Sequence, residues 1–433
     1  MDPQRKGWYA YGWASHVFPT LVTTVFMSRY LTKVAENAVG KQGRVHVAGI
    51  PVAPGSLFVF DVSACTILLV VLMPVIGAIA DRSGRKRDLM LGFGWFGATA
   101  CVAMIGVTRV AWQLGAVLYA LAFIAFSCSL VVFYSMLPEL STHAERDHVS
   151  SVGWGISYLG GGTLLAVAFV VSTILHNDQL LARLALCASG IWWAAFSIVP
   201  LRLLPRHSAV LERVTGGSVL AAGFREAAGT LRELRGYPVT LGFLIAFLVY
   251  NDGIQTVTTV SAQYGDKELH LSNTTLLLGI LLVQFVAYAG AIWLGRLAGR
   301  WGAKRVILAS LLVWLVAIGF GYVIQARAPL QFYALAILIA VVLGGSQALS
   351  RSVFSRLIPA GSEARYFGFY EISDAGTSWL GPLLFGVAYQ NTGSYRTALV
   401  LLVVFFVVGF LLLLRVPIRR GIVEAGNLSP ARV

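Results

Sequence analysis

The sequence is poor in charged residues and in cysteine, and each shortage excludes a class of protein. Asp, Glu, Lys and Arg make up only 12% of the 433 residues, whereas 57% are hydrophobic, which is more apolar surface than a soluble core could hide. The cysteines lie in apolar stretches without CxxC spacing, which favours packing residues over disulfides or metal ligands. They are Cys65, Cys101, Cys128 and Cys187.

The sequence patterns of catalytic sites are missing as well. There is no metal-spaced histidine cluster, no Ser-His-Asp arrangement and no GxxxxGK[ST] phosphate loop. We therefore predict no enzyme, no metal site and no cofactor. The net charge of +14 does not indicate nucleic-acid binding, because the excess is spread over loops where anionic lipid head groups would favour it.

Long apolar stretches are what the sequence does contain. Stretches of about 20 residues match the length that an α-helix needs to cross the roughly 30 Å hydrocarbon layer. They predict an all-α membrane protein with twelve transmembrane helices in two six-helix bundles. The first six are placed near 8–31, 56–80, 89–107, 112–136, 152–175 and 181–204, and the second six near 239–263, 274–297, 306–324, 330–354, 366–389 and 398–414.

The distribution of Lys and Arg predicts the orientation. With the N-terminus inside, 24 of the 33 Lys and Arg residues fall on inner segments, so both termini are predicted to be cytoplasmic. The predicted domains are an N-terminal bundle (1–204), a cytoplasmic linker (205–237) and a C-terminal bundle with a short tail (238–433). The linker contains GFREAAGTLRELRGY, whose alternating apolar and charged residues predict an amphipathic helix on the membrane surface.

One basic, glycine-spaced signature occurs twice, at equivalent places in the two halves. It reads GAIADRSGRKR at residues 77–87 and GRLAGRWGAKR at residues 295–305. Asp81 can accept hydrogen bonds, and the glycines permit close helix approach, so a conformational latch is predicted. Gly299 replaces the acid in the second copy, which predicts a weaker latch; two merely basic inner loops are the alternative. The predicted gating residues are Gly77, Asp81, Arg82, Gly84, Arg85, Lys86, Gly295, Arg300, Gly302 and Lys304.

Two parallel six-helix repeats, together with a first copy close to GxxxDRxGRR, resemble the major facilitator superfamily. More specific motifs are FLIAFLVYNDGIQT at 243–256, GGSQALSRSVFSRLIP at 344–359 and the following YFGFYEISDAGTSWLGPLLFG. These resemble the branch that contains the autophagy-associated vacuolar amino-acid effluxer and its bacterial relatives. The resemblance implies a secondary transporter, with a central site between the halves and amino-acid-like solutes as substrates.

Polar residues within the predicted helices are the candidates for that site. Asp252 lies deep in the seventh helix, where an ionisable residue usually serves an ion, a substrate or a proton relay; a structural hydrogen bond is the alternative. Gln347 and Arg351 share a helix face, and Arg351 could recognise a carboxylate or act as an interhelical clamp. The predicted substrate-binding residues are Tyr11, His16, Tyr134, Tyr250, Asn251, Asp252, Gln255, Gln347 and Arg351.

Two further carboxylates, Glu371 and Asp374, could join Asp252 in coupling transport to a proton or cation, or could balance Arg351 or another inner-loop cation. The resembling branch often has an acid where Gly12 stands, so a membrane ligand sensor that does not transport is the alternative function. The predicted partners are the lipid bilayer, a small-molecule substrate and a coupling proton or cation, in a monomer. A plasma membrane is favoured, with an organellar membrane as the alternative.

Overall fold

The computed structural model describes residues 2–40, 43–52, 54–142, 145–175, 177–205, 229–230, 232–375, 380–381, 384–385, 388 and 394–427. In the first half the helices are α1 (Pro3–Ser15), α2 (Ser28–Val39), α3 (Pro54–Ser83), α4 (Lys86–Ala103), α5 (Trp112–Ser135), α6 (Leu137–Leu140), α7 (Arg146–Ile174), α8 (Asp178–Phe196) and α9 (Ile198–Leu203). A π-helical segment, Phe18–Met27, lies between α1 and α2, and a 3-10 turn, Met104–Gly106, follows α4.

The second half is helical in the same way. Its helices are α10 (Pro238–Gln263), α11 (Asn273–Trp301), α12 (Ala303–Val323), α13 (Pro329–Phe354), α14 (Glu363–Ala375), α15 (Tyr395–Leu401), α16 (Val403–Arg415) and α17 (Ile418–Glu424), and the π-helical segment Tyr264–Glu268 follows α10. Most of the predicted linker, 206–228 and residue 231, lies outside the described residues; residues 232–234 are helical.

The predicted all-α membrane class is confirmed by the long apolar helices, whereas the count of twelve remains a prediction. Within the described ranges, ten helices are long and apolar enough to cross a membrane. The first predicted span is divided among α1, the π-helical segment and α2, because Pro19 has no backbone N–H with which to continue a regular helix. The eleventh predicted span begins with α14, and much of its remainder lies outside the described residues.

The chain groups into two compact units. Unit 1 comprises Met1–Leu72, Arg85–Phe133 and Leu159–Ala209, and unit 2 comprises Met73–Gly84, Tyr134–Tyr158 and Val210–Val433. Unit 2 therefore includes α6 and three helix ends of the first half: the end of α3, the end of α5 and the beginning of α7. These are ends that the charge distribution predicts to be cytoplasmic, here called the inner ends. The domain boundaries drawn from the sequence remain a prediction.

A short β-hairpin follows α2 and was not predicted from the sequence. Strands β1 (Val45–Val47) and β2 (Ile50–Val52) pair antiparallel. Ala48 and Gly49 between them have φ angles of 48° and 84°, the left-handed values that a tight two-residue hairpin turn requires. Three-residue strands leave too little alternation for a sequence pattern to reveal them.

Small residues allow a close helix approach in unit 2, between α11 and α13. A Cβ built on Gly290 would lie 2.8 Å from the Val341 Cα and closer still to the Val341 carbonyl oxygen, and backbone atoms cannot move aside. Membrane helices pack through such small residues because lipid supplies no hydrophobic force to bring them together. Gly290 therefore sets the distance between α11 and α13.

Replacing Gly290 with alanine is expected to destabilise the protein by about 1–3 kcal/mol, because the added methyl group must push α11 and α13 apart. Gly319→Ala in α12 is the matched control, since nothing lies within 4 Å of its Cβ position. The midpoint of thermal unfolding in detergent should fall for Gly290→Ala and stay level or rise for the control. Equal midpoints for the two variants would contradict the close approach.

Candidate functional site

Asp252 is a buried carboxylic acid well inside α10. It lies fourteen residues from the start of the helix, about 21 Å along its axis at 1.5 Å per residue. Its side chain is 1% exposed, and neither carboxylate oxygen has a hydrogen-bond partner among the described residues. A Cβ at Gly381 would lie 3.2 Å from the Asp252 carbonyl oxygen, so the eleventh predicted span passes close to this position. The site therefore contains an acid with unused bonding capacity.

A hydrogen bond joins α10 to α13 beside Asp252. The Tyr250 hydroxyl and the Ser350 hydroxyl are 2.6 Å apart, and the Ser350 hydroxyl donates to the Ser346 carbonyl oxygen. Tyr250 and Asn251 are fully buried, and Gln255 is half-buried on the same helix. The tyrosine therefore fixes the relative positions of the two helices that carry Asp252 and Arg351.

Arg351 lies against two aromatic rings. Its guanidinium carbon is 3.5 Å from the centre of the Tyr134 ring and 4.1 Å from the centre of the Trp154 ring. Tyr134 comes from the end of α5 and Trp154 from α7, so two first-half segments of unit 2 hold a side chain of the second half. Gln347, one turn before Arg351, is also buried. Two separately predicted binding residues, Tyr134 and Arg351, are thus brought together, and Trp154 joins them.

The other predicted binding residues lie elsewhere or are not described. Tyr11 and His16 belong to unit 1, where Tyr11 is fully buried and donates to the Met90 carbonyl oxygen at 3.3 Å. That bond places Tyr11 in the packing between α1 and α4. Glu371 and Asp374 lie on α14, and their side chains lie outside the described part of the chain.

The first signature contacts the beginning of α14 within unit 2. The Asp81 carboxylate accepts hydrogen bonds from the backbone N–H groups of Ala364 at 3.0 Å and Arg365 at 2.8 Å. These groups belong to the first turn of a helix, where they have no partner within the helix and the helix dipole favours a negative charge. A Cβ at Gly77 would clash with the Ala364 carbonyl oxygen, so the glycine permits this contact.

The rest of the first signature forms the turn after α3. Gly84 has a φ of 60°, which reverses the chain between α3 and α4, while Arg82, Arg85 and Lys86 surround that turn. Arg365 extends the contact to the linker, since its guanidinium lies 3.2 Å from a Glu233 carboxylate oxygen. The Asp81 contact, Arg365 and Glu233 are together called the inner latch.

The second signature packs in a related way without its acid. A Cβ at Gly295 would lie 2.5 Å from the Ser151 side chain, which places α11 against the first turns of α7. Gly299 stands where an acid would complete the pattern, and Arg300 beside it is exposed. Gly302 turns the chain with a φ of 90°. Lys304 donates to the Leu414 and Val416 carbonyl oxygens at 2.9 and 2.7 Å and so caps the end of α16, a contact within the second half.

An ion pair lies near the second signature. An Arg356 guanidinium nitrogen is 3.0 Å from an Asp147 carboxylate oxygen, and both side chains are at most 9% exposed. Arg146 donates to the Ser355 carbonyl oxygen at 3.1 Å, and the Ser150 hydroxyl donates to the Ala348 carbonyl oxygen at 2.8 Å. These bonds join the start of α7 to the end of α13. They lie near the second signature, in which Gly299 stands in place of an acid.

Comparison with known proteins identifies the family. A family model described as vacuole effluxer Atg22 like matches residues 3–426. The chain belongs to this family. An uncharacterized MFS-type transporter of Bacillus subtilis, YxiO, is 28% identical, over 96% of this chain and 95% of that protein. Autophagy-related protein 22 of Yarrowia lipolytica is 26% identical, over 88% of this chain and 79% of that protein.

Solved structures show the fold of this Atg22-like chain. The human organic anion transporter MFSD10 (TETRAN) has a TM-score of 0.66 at 13% identity, over 95% of this chain and 99% of that one. The proton:xylose symporter XylE has a TM-score of 0.67 at 12% identity, over 95% and 93%. Such low identity shows the fold alone, which is that of the major facilitator superfamily. The chain is therefore an integral membrane transporter of the major facilitator type, and not an enzyme.

Four residues of this Atg22-like transporter were not predicted as part of the site or its closure. Trp154, Ser350, Asp147 and Arg356 each form a contact between segments that are distant in sequence. Trp154 lies in an apolar helix, where the sequence predicts only a packing role for an aromatic residue. The only sequence signal for Asp147 is its place in the charged run Glu145, Arg146, Asp147 just before an apolar stretch.

Proposed function

We propose that this transporter moves a small polar solute, an amino acid or a similar metabolite, by alternating between two states with access from opposite sides of the membrane. The carboxyl group of Asp252, buried and without a hydrogen-bond partner among the described residues, is the observation that carries the proposal. An ionisable residue within a membrane helix is costly, and such residues usually line substrate or ion pathways. The family description of a vacuole effluxer agrees with a solute leaving a compartment.

The remaining candidates have distinct roles in this proposal. Asp252 binds the polar group of the solute or carries a coupling proton, Arg351 and Gln347 contribute polar recognition, and the inner latch holds the inner ends together in one of the two states. Glu371 and Asp374 remain candidates for proton or cation coupling. The protein works as a monomer in a cellular or vacuole-like membrane with both termini cytoplasmic.

Asp252→Asn tests the proposal while keeping the size of the side chain. A first screen measures thermal stabilisation of the purified protein by amino acids, peptides, sugars, nucleosides and lipids, because a ligand of the folded state raises apparent stability. Uptake of the stabilising compounds is then measured in proteoliposomes. We expect amino acids to stabilise the wild type and to be transported, and Asp252→Asn to reduce uptake at least about tenfold through the lost charge or proton site.

Asp61→Asn is the matched control, since Asp61 is another membrane carboxylate but lies within 4.0 Å of the Cys65 sulfur near the start of α3. Its uptake should stay near that of the wild type. Normal uptake by a folded Asp252→Asn variant would remove Asp252 from the mechanism. Binding without uptake by the wild type would contradict transport of that solute.

A further inference from the structure

Arg351 is a buried cation with no anionic partner among the described residues. Its side chain is 2% exposed, and Nε and Nη1 have no hydrogen-bond acceptor there. Two described carboxylates pair with other arginines, Asp147 with Arg356 and Glu233 with Arg365. The Arg351 guanidinium instead contacts the Tyr134 and Trp154 rings. Within the part of the chain that the structure describes, Arg351 is therefore held in place but not neutralised.

Arg351 cannot remove this charge by losing its proton. A guanidinium stays protonated in proteins, so the charge persists at any physiological pH, whereas a buried lysine can become neutral. Buried charges are normally paired, because the lost hydration is not recovered otherwise. Two aromatic faces attract a cation, but they offer no acceptor for its N–H groups.

The contacts fix the position of the guanidinium without using all of its N–H groups. The guanidinium carbon lies within about 4 Å of both ring centres, and the two rings are inclined at 53° to one another, so they touch the group from two directions. Nε and Nη1 have no acceptor among the described residues, so they are available to a ligand. The Tyr250 to Ser350 hydrogen bond holds the adjacent turn of α13 against α10, so little ordering is left for a ligand to bring about.

We propose that Arg351, held between Tyr134 and Trp154, binds the carboxylate of the transported solute, so that the transporter selects solutes that carry a carboxylate. The inference rests on the proposed transport function and names the substrate class of the same site. One carboxylate matches the single positive charge of Arg351, whereas a phosphate would bring an excess of negative charge.

Paired probes test the charge requirement without any mutation. Each amino acid that binds the wild type is compared with its own carboxamide, which keeps the size but removes the negative charge and replaces one acceptor oxygen with an NH2 donor. Binding is followed by titration of the purified protein, and uptake is followed by competition in proteoliposomes. We expect the acid to bind roughly 100-fold more tightly than the amide, because a site built for a group rejects an analogue lacking it.

Variants of Arg351 show whether this residue produces the preference. Arg351→Gln is expected to reduce the acid-to-amide ratio to below about tenfold, and Arg351→Lys to keep part of it because the charge remains. Arg415→Gln, at the exposed end of α16, is the matched control and should keep the full ratio.

The outcomes separate this inference from transport itself. Equal uptake of acid and amide by the wild type, or an unchanged ratio in Arg351→Gln, would overturn the carboxylate site and leave Arg351 as a clamp between α13 and the two aromatic residues, with the transport function intact. Preference for inorganic phosphate over acetate as a competitor would also overturn it. Acid-selective binding without uptake of any solute would support the site and contradict the proposed function. If Arg351→Gln does not fold, the acid-to-amide ratios of the wild type and of Arg351→Lys still test the carboxylate site.

Discussion

Asp81→Ala is expected to separate the inner ends of unit 2 and to abolish uptake. The variant loses two charge-assisted hydrogen bonds to the first turn of α14, each worth about 1.5–3 kcal/mol net. A loss of only about 2 kcal/mol from the state that contains the inner latch changes the ratio of states by roughly 30-fold. The carboxylate bonds directly to two backbone N–H groups of α14, so the effect should be large.

A cysteine at position 150 measures the opening. Ser150 is fully buried and donates to the Ala348 carbonyl oxygen, so Ser150→Cys in a background without the native cysteines should react slowly with a water-soluble maleimide. The reaction should accelerate when Asp81→Ala is added. Asp88→Ala is the matched control, because Asp88 is 46% exposed and pairs with Arg87, and it should leave the rate unchanged. An unchanged labelling rate with normal uptake in Asp81→Ala would contradict the latch.

Breaking the Asp147 to Arg356 pair is expected to destabilise the protein more than any surface substitution. Removing one partner takes a close counter-ion away from a buried charge, which costs about 3–5 kcal/mol. Asp147→Ala and Arg356→Ala should each lower the unfolding midpoint strongly. The double variant should recover part of the loss, since no unpaired charge of this pair is left, and the interaction energy should be about 1–3 kcal/mol.

The Arg420 to Glu424 pair provides the matched control. It lies four residues apart on one helix, and the arginine side chain is 74% exposed. Removing either partner should cost less than about 0.5 kcal/mol, because water screens an exposed pair. Equal losses for the two pairs would show that the Asp147 carboxylate is hydrated in solution and that the contact contributes little to joining α7 and α13.

The membrane helices could be predicted because lipid imposes a simple rule on length and composition. The predicted span 112–136 corresponds to α5 and the span 306–324 to α12, since both are continuous apolar runs. The first span shows where that rule is incomplete. A run of apolar residues does not reveal that Pro19 changes the hydrogen-bond pattern to a π-helical one.

The chemistry of the candidate site was only partly visible in the sequence. Asp252 and Arg351 stand out because charge is rare inside an apolar helix. The neighbours of the buried arginines could not be predicted. Trp154 contacts Arg351 and Asp147 pairs with Arg356, and each partner is about 200 residues away in the sequence. The sequence left open whether Arg351 binds a carboxylate or holds two helices together. The structure adds that its guanidinium contacts the Tyr134 and Trp154 rings. The acid and amide probes distinguish the two roles.

The permanent charge of Arg351 gives the proposed cycle an electrical signature. Moving one elementary charge through the membrane potential changes the energy by about 2.3 kcal/mol per 100 mV. An empty carrier that reorients with a bare guanidinium moves one such charge, whereas a carrier whose guanidinium is paired with a carboxylate moves none at that position. Voltage should therefore act on the return of the empty carrier rather than on the loaded step.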